Sequence, residues 1–236
     1  YKKFATSFTT MHAEDIRRQV EAIYAQERYW PEPLIQINPS YRRSTSIEAL
    51  VTGGVLEPGS ADIFRLPPTA NAPRGEALSL YKHQEQAIAL ASQGESYVVT
   101  TGTGSGKSLC FFIPIVNAVL AEKRAGGAPR TRAIIIYPMN ALANSQLEEL
   151  DKFVENVPGK KPVTFARYTG QEDTEERRKV SENPPDILLT TPEQLALFCA
   201  WEGARAYFED LSCVIVDEIH AIHASKRGDL LALDLA

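Results

Sequence analysis

Three observations predict an α/β fold whose parallel sheet is covered by helices on both faces. From about residue 76 onward, apolar stretches of strand length alternate with segments of helical periodicity. One such strand, Tyr97-Val-Val-Thr-Thr101, runs into a glycine-rich turn ending Gly106-Lys107-Ser108, then into an apolar helix. Another, Leu211-Ser-Cys-Val-Ile-Val216, runs straight into the carboxylates Asp217 and Glu218. Continuously apolar strands are those buried on both faces, and strands joined through helices pair in parallel.

The elements follow in order. Residues 1–75 read as an N-terminal extension, mainly helical and irregular. It has a helix near 12–29 with Ile16, Val20 and Ile23 on one face, a proline-containing segment 30–39, a short helix near 46–52 and an irregular stretch 66–73. This is either a packing extension or, at Tyr29 and Trp30, a partner-binding edge. Residues 76–236 form the main domain, with strands near 96–101, 132–137, 163–168, 186–190 and 212–217. Its helices are expected near 81–93, 106–124, 140–156, 172–181 and 192–201. Pro114 falls inside the second of these helices and is expected to kink it. The run from Glu172 to Lys179 mixes both signs of charge and reads as a solvated helix face.

Composition narrows the class. The 236 residues are 44% hydrophobic, enough for one sizeable core. No run approaches 18 apolar residues and no signal peptide opens the chain, so a soluble cytoplasmic protein with no membrane partner is expected. Cys110, Cys199 and Cys213 lie scattered in apolar segments without metal-ligand spacing, which suggests buried free thiols in a reducing compartment. A formal net charge of −5 supplies no general basic field, so any nucleic-acid contact must come from a local track.

The segment Thr101-Gly-Thr-Gly-Ser-Gly-Lys-Ser108 is a candidate phosphate cradle. Gly102, Gly104 and Gly106, separated by Thr103 and Ser105, permit a turn whose N–H groups point inward, and the following helix adds its positive end. Lys107 would reach the β- and γ-phosphates, and Ser108 would hold Mg²⁺. The plain alternative is a Gly/Ser loop between two elements. At the end of the second strand, Asp217 would bind Mg²⁺ through water and Glu218 would orient and deprotonate an attacking water. A solvated acidic turn is the plain alternative there.

These residues resemble the superfamily 2 helicases and translocases. Thr101 stands where the general phosphate-loop pattern has glycine, a substitution common in that superfamily, and Asp217-Glu-Ile-His220 resembles its DExH motif. The resemblance implies a RecA-like domain that uses ATP and Mg²⁺, and it makes His220 the link between the ATP site and nucleic acid. Leu80-Tyr-Lys-His-Gln-Glu-Gln-Ala-Ile88 is similar to the adenine-reading segment, with Gln84 on the base edge; Tyr81 either stacks on the base or packs into the core. Three further segments resemble backbone-contact motifs, in the expected order: Tyr137-Pro138-Met139-Asn140 and the residues after it, Arg167-Tyr-Thr169-Gly170, and Thr190-Thr191-Pro192-Glu193. Each taken alone is also consistent with ordinary strand-to-helix punctuation.

Within the superfamily the chain looks like large Lhr-like bacterial DExH helicases, including those of phage-defence systems of the Druantia type. Tyr137-Pro-Met-Asn-Ala-Leu-Ala143 and Asp217-Glu-Ile-His-Ala-Ile-His-Ala-Ser-Lys-Arg-Gly228 carry that likeness. Ser225-Lys-Arg-Gly228 either places cations on a nucleic-acid backbone or caps a surface helix. The implied function is ATP-driven movement on nucleic acid, DNA favoured over RNA, with other defence proteins as further partners; the alternative is an ATP-driven switch that remodels a complex without unwinding. The chain starts at Tyr1 and stops at Ala236 without a Ser/Thr-Ala-Thr segment, so a longer protein with a second RecA-like domain is expected. An arginine finger from such a domain is worth about 10³ to 10⁵ in rate, so little turnover is expected from residues 1–236 alone.

Overall fold

The structure, a computed structural model, describes residues 12–26, 41–102, 104–159 and 161–236. The chain divides between Ser40 and Tyr41. In the first unit, helix α1 (Glu14–Ala25) buries none of its residues, and Ile16 and Ile23 are exposed. Tyr29, Trp30 and the proline-containing segment lie outside the described residues.

The second unit begins with β1 (Arg43–Ser46), α2 (Ile47–Thr52) and α3 (Pro58–Ile63). Ser46 accepts the Ala49 amide and caps α2. The strand β2 (Ser79–Tyr81) pairs antiparallel with β1 and leads into α4 (Lys82–Ser92). Ile47, Ile63 and Phe64 are fully buried in the same core as Phe112 and Ile135. The expected boundary near 75 therefore moves to 40, because residues 41–75 bury their apolar side chains in the main core.

Next come α5 (Leu109–Arg124), β3 (Ala133–Ile136), α6 (Asn140–Val154), β4 (Phe165–Tyr168) and α7 (Thr174–Glu182). The chain continues through β5 (Ile187–Thr190), α8 (Pro192–Cys199), α9 (Ala204–Phe208), β6 (Cys213–Val216), a single 3₁₀ turn at Ile219–Ala221 and α10 (Lys226–Asp234). The four strands β3 to β6 pair in parallel in the order β4-β5-β3-β6. Strand alternation divides the core in two. Ala133 and Ile135 of β3 pack with Phe112, Val116 and Leu150, while Ile134 and Ile136 face Leu195, Phe198 and Leu231 on the other side. Helices thus cover both faces, as the apolar runs predict.

Five strands were expected in this sheet and four form. Tyr97 to Thr101 alternates half-buried and exposed residues but joins no ladder, and Val98 is 83% exposed. Apolar character makes a strand only where a neighbour supplies the hydrogen bonds. Two smaller expectations also change. Glu172 is buried rather than solvated, and α7 starts only after it, with Asp173 capping through a reciprocal pair with Glu176. Cys110 is buried, but Cys213 is half-buried on the edge strand β6 and Cys199, the last residue of α8, is exposed. Pro114 lies inside α5, as expected from the sequence.

Candidate active site

The phosphate loop has the backbone its glycines suggest. Gly104 and Gly106 adopt φ of 75° and 70°, in the left-handed region open to glycine. A Cβ on Gly106 would lie 2.6 Å from Gln84 Nε2, and one on Gly102 would lie 2.9 Å from the Tyr41 hydroxyl. The loop is braced from within by Thr101 Oγ1 and Ser105 Oγ, 2.6 Å apart, with Ser105 buried. It passes into α5 through bonds from Leu109 N–H to Gly106 O and Cys110 N–H to Lys107 O, leaving Ser108 at the helix start. Thr103 lies outside the described residues.

Asp217 and Glu218 end β6 beside this loop. Lys107 Nζ stands 3.8 Å from Glu218 Oε1, and His220 Nδ1 stands 3.3 Å from Glu218 Oε2, so one carboxylate joins the loop lysine to the DExH histidine. Glu218 has φ of 48°, the single positive value for a non-glycine among the described residues, a conformation that costs about 1–2 kcal/mol and turns the chain sharply off the strand. Asp217 Oδ1 accepts the Glu218 amide at 2.9 Å. Burial raises the Asp217 pKa above the ordinary carboxylate value; the Glu218 amide opposes this, and the neighbouring Glu218 charge adds to it.

Gln84 sits differently from a free adenine-reading amide. It is buried, its Oε1 accepts the Tyr81 amide at 2.8 Å, and its Nε2 donates to Gly106 O at 3.0 Å. The amide thus joins the start of α4 to the phosphate loop. Tyr81 packs in an aromatic trio, 5.8 Å from His83 and 5.5 Å from Tyr41, and His83 Nε2 lies 3.0 Å from Ser105 O.

The three expected backbone-contact turns follow β4, β5 and β3, which are neighbours in the sheet, and the carboxylates follow β6 alongside. Sheet order therefore sets all four turns on one carboxyl edge, where ligands of open α/β sheets bind. Within these turns Met139 and Gly170 are exposed and Asn140 and Glu193 are partly so, whereas Pro138, Thr169, Thr191 and Pro192 are buried. The Thr169 hydroxyl and amide are both taken by Glu172, the amide at 2.6 Å, so this threonine offers no free hydroxyl. Arg227 grips Glu193 through Nε and Nη2 and holds its carboxyl below the usual range. Of that pair only the guanidinium attracts a phosphate.

Sequence reasoning missed Glu172, Tyr41 and the Glu193–Arg227 pair. Glu172 was hidden in a charged run; its one signal is its place three residues after Thr169, ahead of the Asp173 cap. Tyr41 reaches the site from a distant position that spacing does not reveal, and Arg227, already named within Ser225-Lys-Arg-Gly228, finds Glu193 only through the fold.

The donor set fits a triphosphate with a divalent cation: side-chain-free turns where a Cβ would collide, a lysine beside them, and a half-buried aspartate. Among the described residues no group of three or more His, Cys, Asp and Glu could hold a metal. A cation here would take most ligands from phosphate and water, as Mg²⁺ does. No described helix is long and apolar enough to cross a membrane.

The family model for DEAD/DEAH box helicases matches residues 81–235. The chain is 34% identical over 160 residues to the Lhr helicase/probable uracil glycosylase of Mycolicibacterium smegmatis, covering 64% of this chain and 10% of that protein. It is 30% identical over 190 residues to Druantia protein DruE of Escherichia coli, covering 67% of this chain and 10% of that protein. The solved structure of Mycobacterium smegmatis helicase Lhr bound to ssDNA and AMP-PNP matches with a TM-score of 0.57 at 32% identity, over 65% of this chain and 20% of that one. The chain thus spans about a tenth of the length of these two curated relatives.

Proposed function

Because the chain belongs to the DEAD/DEAH box helicase family, we propose that it is the RecA-like ATP-binding motor domain of an ATP-dependent nucleic-acid helicase or translocase. The observation that carries this reading is the contact between Lys107 and Glu218, which joins the phosphate loop to the carboxylate turn. Gly102, Gly104 and Gly106, with Thr101, Thr103 and Ser105, would cradle the phosphates; Lys107 would neutralise the β- and γ-phosphates; Ser108 and Asp217 would hold Mg²⁺. Bound Mg²⁺ supplies neutralisation of the charge that develops on the transferred phosphoryl group. Glu218 would orient and deprotonate the attacking water, and His220 would carry its state toward the nucleic-acid side. Tyr81 and Tyr41 would flank the base, and Gln84 would couple α4 to the loop.

The nucleic acid would lie across the turns after β4, β5 and β3, touching Met139, Asn140 and Gly170, with Arg227 as the cation at Glu193. DNA is the favoured polymer, supported by the likeness to the DNA-bound Lhr structure. A second RecA-like domain elsewhere in the full-length protein would complete the cycle, closing on ATP and reopening after hydrolysis. Work with other defence proteins belongs to this reading through the likeness to Druantia protein DruE, with the cytoplasm as its place.

The test is ATPase activity of the full-length protein with no nucleic acid, single-stranded DNA, duplex DNA and RNA, beside Lys107→Ala and Glu218→Gln. Stimulation by DNA, absent in both variants, is expected. Hydrolysis indifferent to every polymer would instead favour a partner-driven switch.

A further inference from the structure

Arg167 stands beside one of the proposed contact turns, yet its guanidinium is engaged by the protein. Its Nη1 donates to Asn144 Oδ1 at 2.6 Å, and its Nε lies 3.4 Å from Glu172 Oε1. The Glu172 carboxylate in turn accepts the Thr169 amide and hydroxyl. Asn144 Nδ2 donates onward to Gln171 Oε1 at 3.2 Å. One arginine and one amide thus hold the Thr169-Gly170 turn from both ends. On a further side it is closed by α8, since a Cβ on Gly170 would lie 3.0 Å from Gln194 Nε2.

The partners come from strands that are not neighbours. Arg167 belongs to β4, whereas Asn144 lies one turn into α6, the helix that starts at Asn140 directly after the turn following β3. Between β4 and β3 runs β5, where Leu189 is level with Arg167. The ladder therefore joins neither turn directly to the other, and two strand spacings, about 10 Å, separate the strands. Alternation puts Arg167 on the face of Phe165, which packs into the core cluster of Leu150 from α6, so its side chain meets that helix. A guanidinium suits this place. It has a rigid fork of donors and no acceptor, so it can hold an amide oxygen and a carboxylate at once. A lysine would carry the charge without the fork.

We infer that Arg167 is a positioning residue for the nucleic-acid track. Through Asn144 and Glu172 it sets the turn after β4 at a fixed place relative to the turn after β3, so that both meet the phosphates of one strand. It acts through these partners and does not itself touch a phosphate. This rests on reading the turns as the track.

The experiment measures, in the full-length protein with a non-hydrolysable ATP analogue present, the affinity for a fluorescein-labelled oligo(dT) over a range of salt. Asn140→Asp, which sets a negative charge in the turn after β3, comes first. If it leaves the affinity unchanged, the track reading itself fails, and this inference with it. With that affinity lowered, Arg167→Met and Asn144→Ala are each expected to weaken binding about tenfold, and the two together to weaken it no more than either alone. Arg167→Lys is expected to fall with Arg167→Met. The slope of log affinity against log salt, and the affinity for the ATP analogue without DNA, should stay as in the wild type. Wild-type DNA affinity in Arg167→Met or Asn144→Ala, or fully additive losses, overturns the inference. A salt slope shallower by about 0.7 in Arg167→Met, the loss of one single-strand phosphate contact, also overturns it, as does full recovery in Arg167→Lys, because either would make the guanidinium a direct phosphate ligand. So does a parallel loss of nucleotide affinity, which would make the network a feature of folding alone.

Discussion

The Tyr97 hydroxyl donates to the Cys110 carbonyl at 2.7 Å, and that carbonyl is the one Pro114, four residues later in α5, leaves without a helical donor. A side chain from outside the helix thus replaces the missing backbone bond. Burial lifts the Tyr97 pKa to about 12, so the donor keeps its proton at ordinary pH. The bond also explains how a segment that joins no ladder is held against the helix after the phosphate loop.

Tyr97→Phe is expected to lower the unfolding free energy by about 1 kcal/mol in urea titration. Pro114→Ala restores the helical donor to Cys110, so Tyr97→Phe should cost clearly less in that background. Equal costs in the two backgrounds would show that the tyrosine and the proline are not linked through this carbonyl.

Asp217→Asn is expected to raise the melting temperature while abolishing hydrolysis. Burial raises the folded-state pKa of Asp217, so the folded chain binds the proton more tightly than the unfolded chain does. Stability therefore falls as pH rises from below the unfolded value, about 4, through the raised folded value, and the full penalty remains at neutral pH. The gain from Asp217→Asn should be present at pH 7 and shrink toward pH 4 in scanning fluorimetry. A gain independent of pH would assign it to something other than this carboxyl.

Gly106→Ala and Gly104→Ala separate collision from strain. Both sites have positive φ, but a Cβ at Gly106 would lie 2.6 Å from Gln84 Nε2, whereas at Gly104 nothing lies within 4 Å. Gly104→Ala should cost about 1 kcal/mol of backbone strain. Gly106→Ala should cost more, because Gln84 must also leave its place between Tyr81 and the loop. Isothermal titration with an ATP analogue, beside urea unfolding, reads both effects, and identical losses would refute the role given to Gln84.

Glu172→Gln keeps the shape of the side chain that accepts the Thr169 amide and hydroxyl, but removes its charge and its pairing with Arg167. Hydrogen bonds to a charged acceptor contribute about 1.5–3 kcal/mol, roughly twice a neutral bond, so a loss of about 1–2 kcal/mol is expected. Single-stranded DNA binding by the full-length protein should weaken as the Gly170 turn loosens. Unchanged binding together with the stability loss would remove that turn from the proposed track.

Much of the fold and site was legible because it depends on local chemistry. β3 and β5 were readable as apolar runs, since strands buried on both faces have no polar side to show. The phosphate loop was readable because only glycine accepts its φ values, and the carboxylates because they end an apolar strand. Gln84 was legible as an amide that both donates and accepts, but its partners in the structure, the Tyr81 amide and Gly106 O, were not.

By itself the sequence determined the alternation of elements, the glycine turn, and the placing of Asp217 and Glu218 behind a strand, all set within a few residues by backbone sterics and apolar periodicity. Tertiary structure alone decided which strands are neighbours, that Tyr97 to Thr101 joins none of them, and that 41–75 share the main core. It likewise decided that Glu172 turns inward and that Arg227 meets Glu193. Those outcomes depend on hydrogen-bond partners and packing surfaces brought together from distant parts of the chain, and no local pattern encodes which partner will arrive.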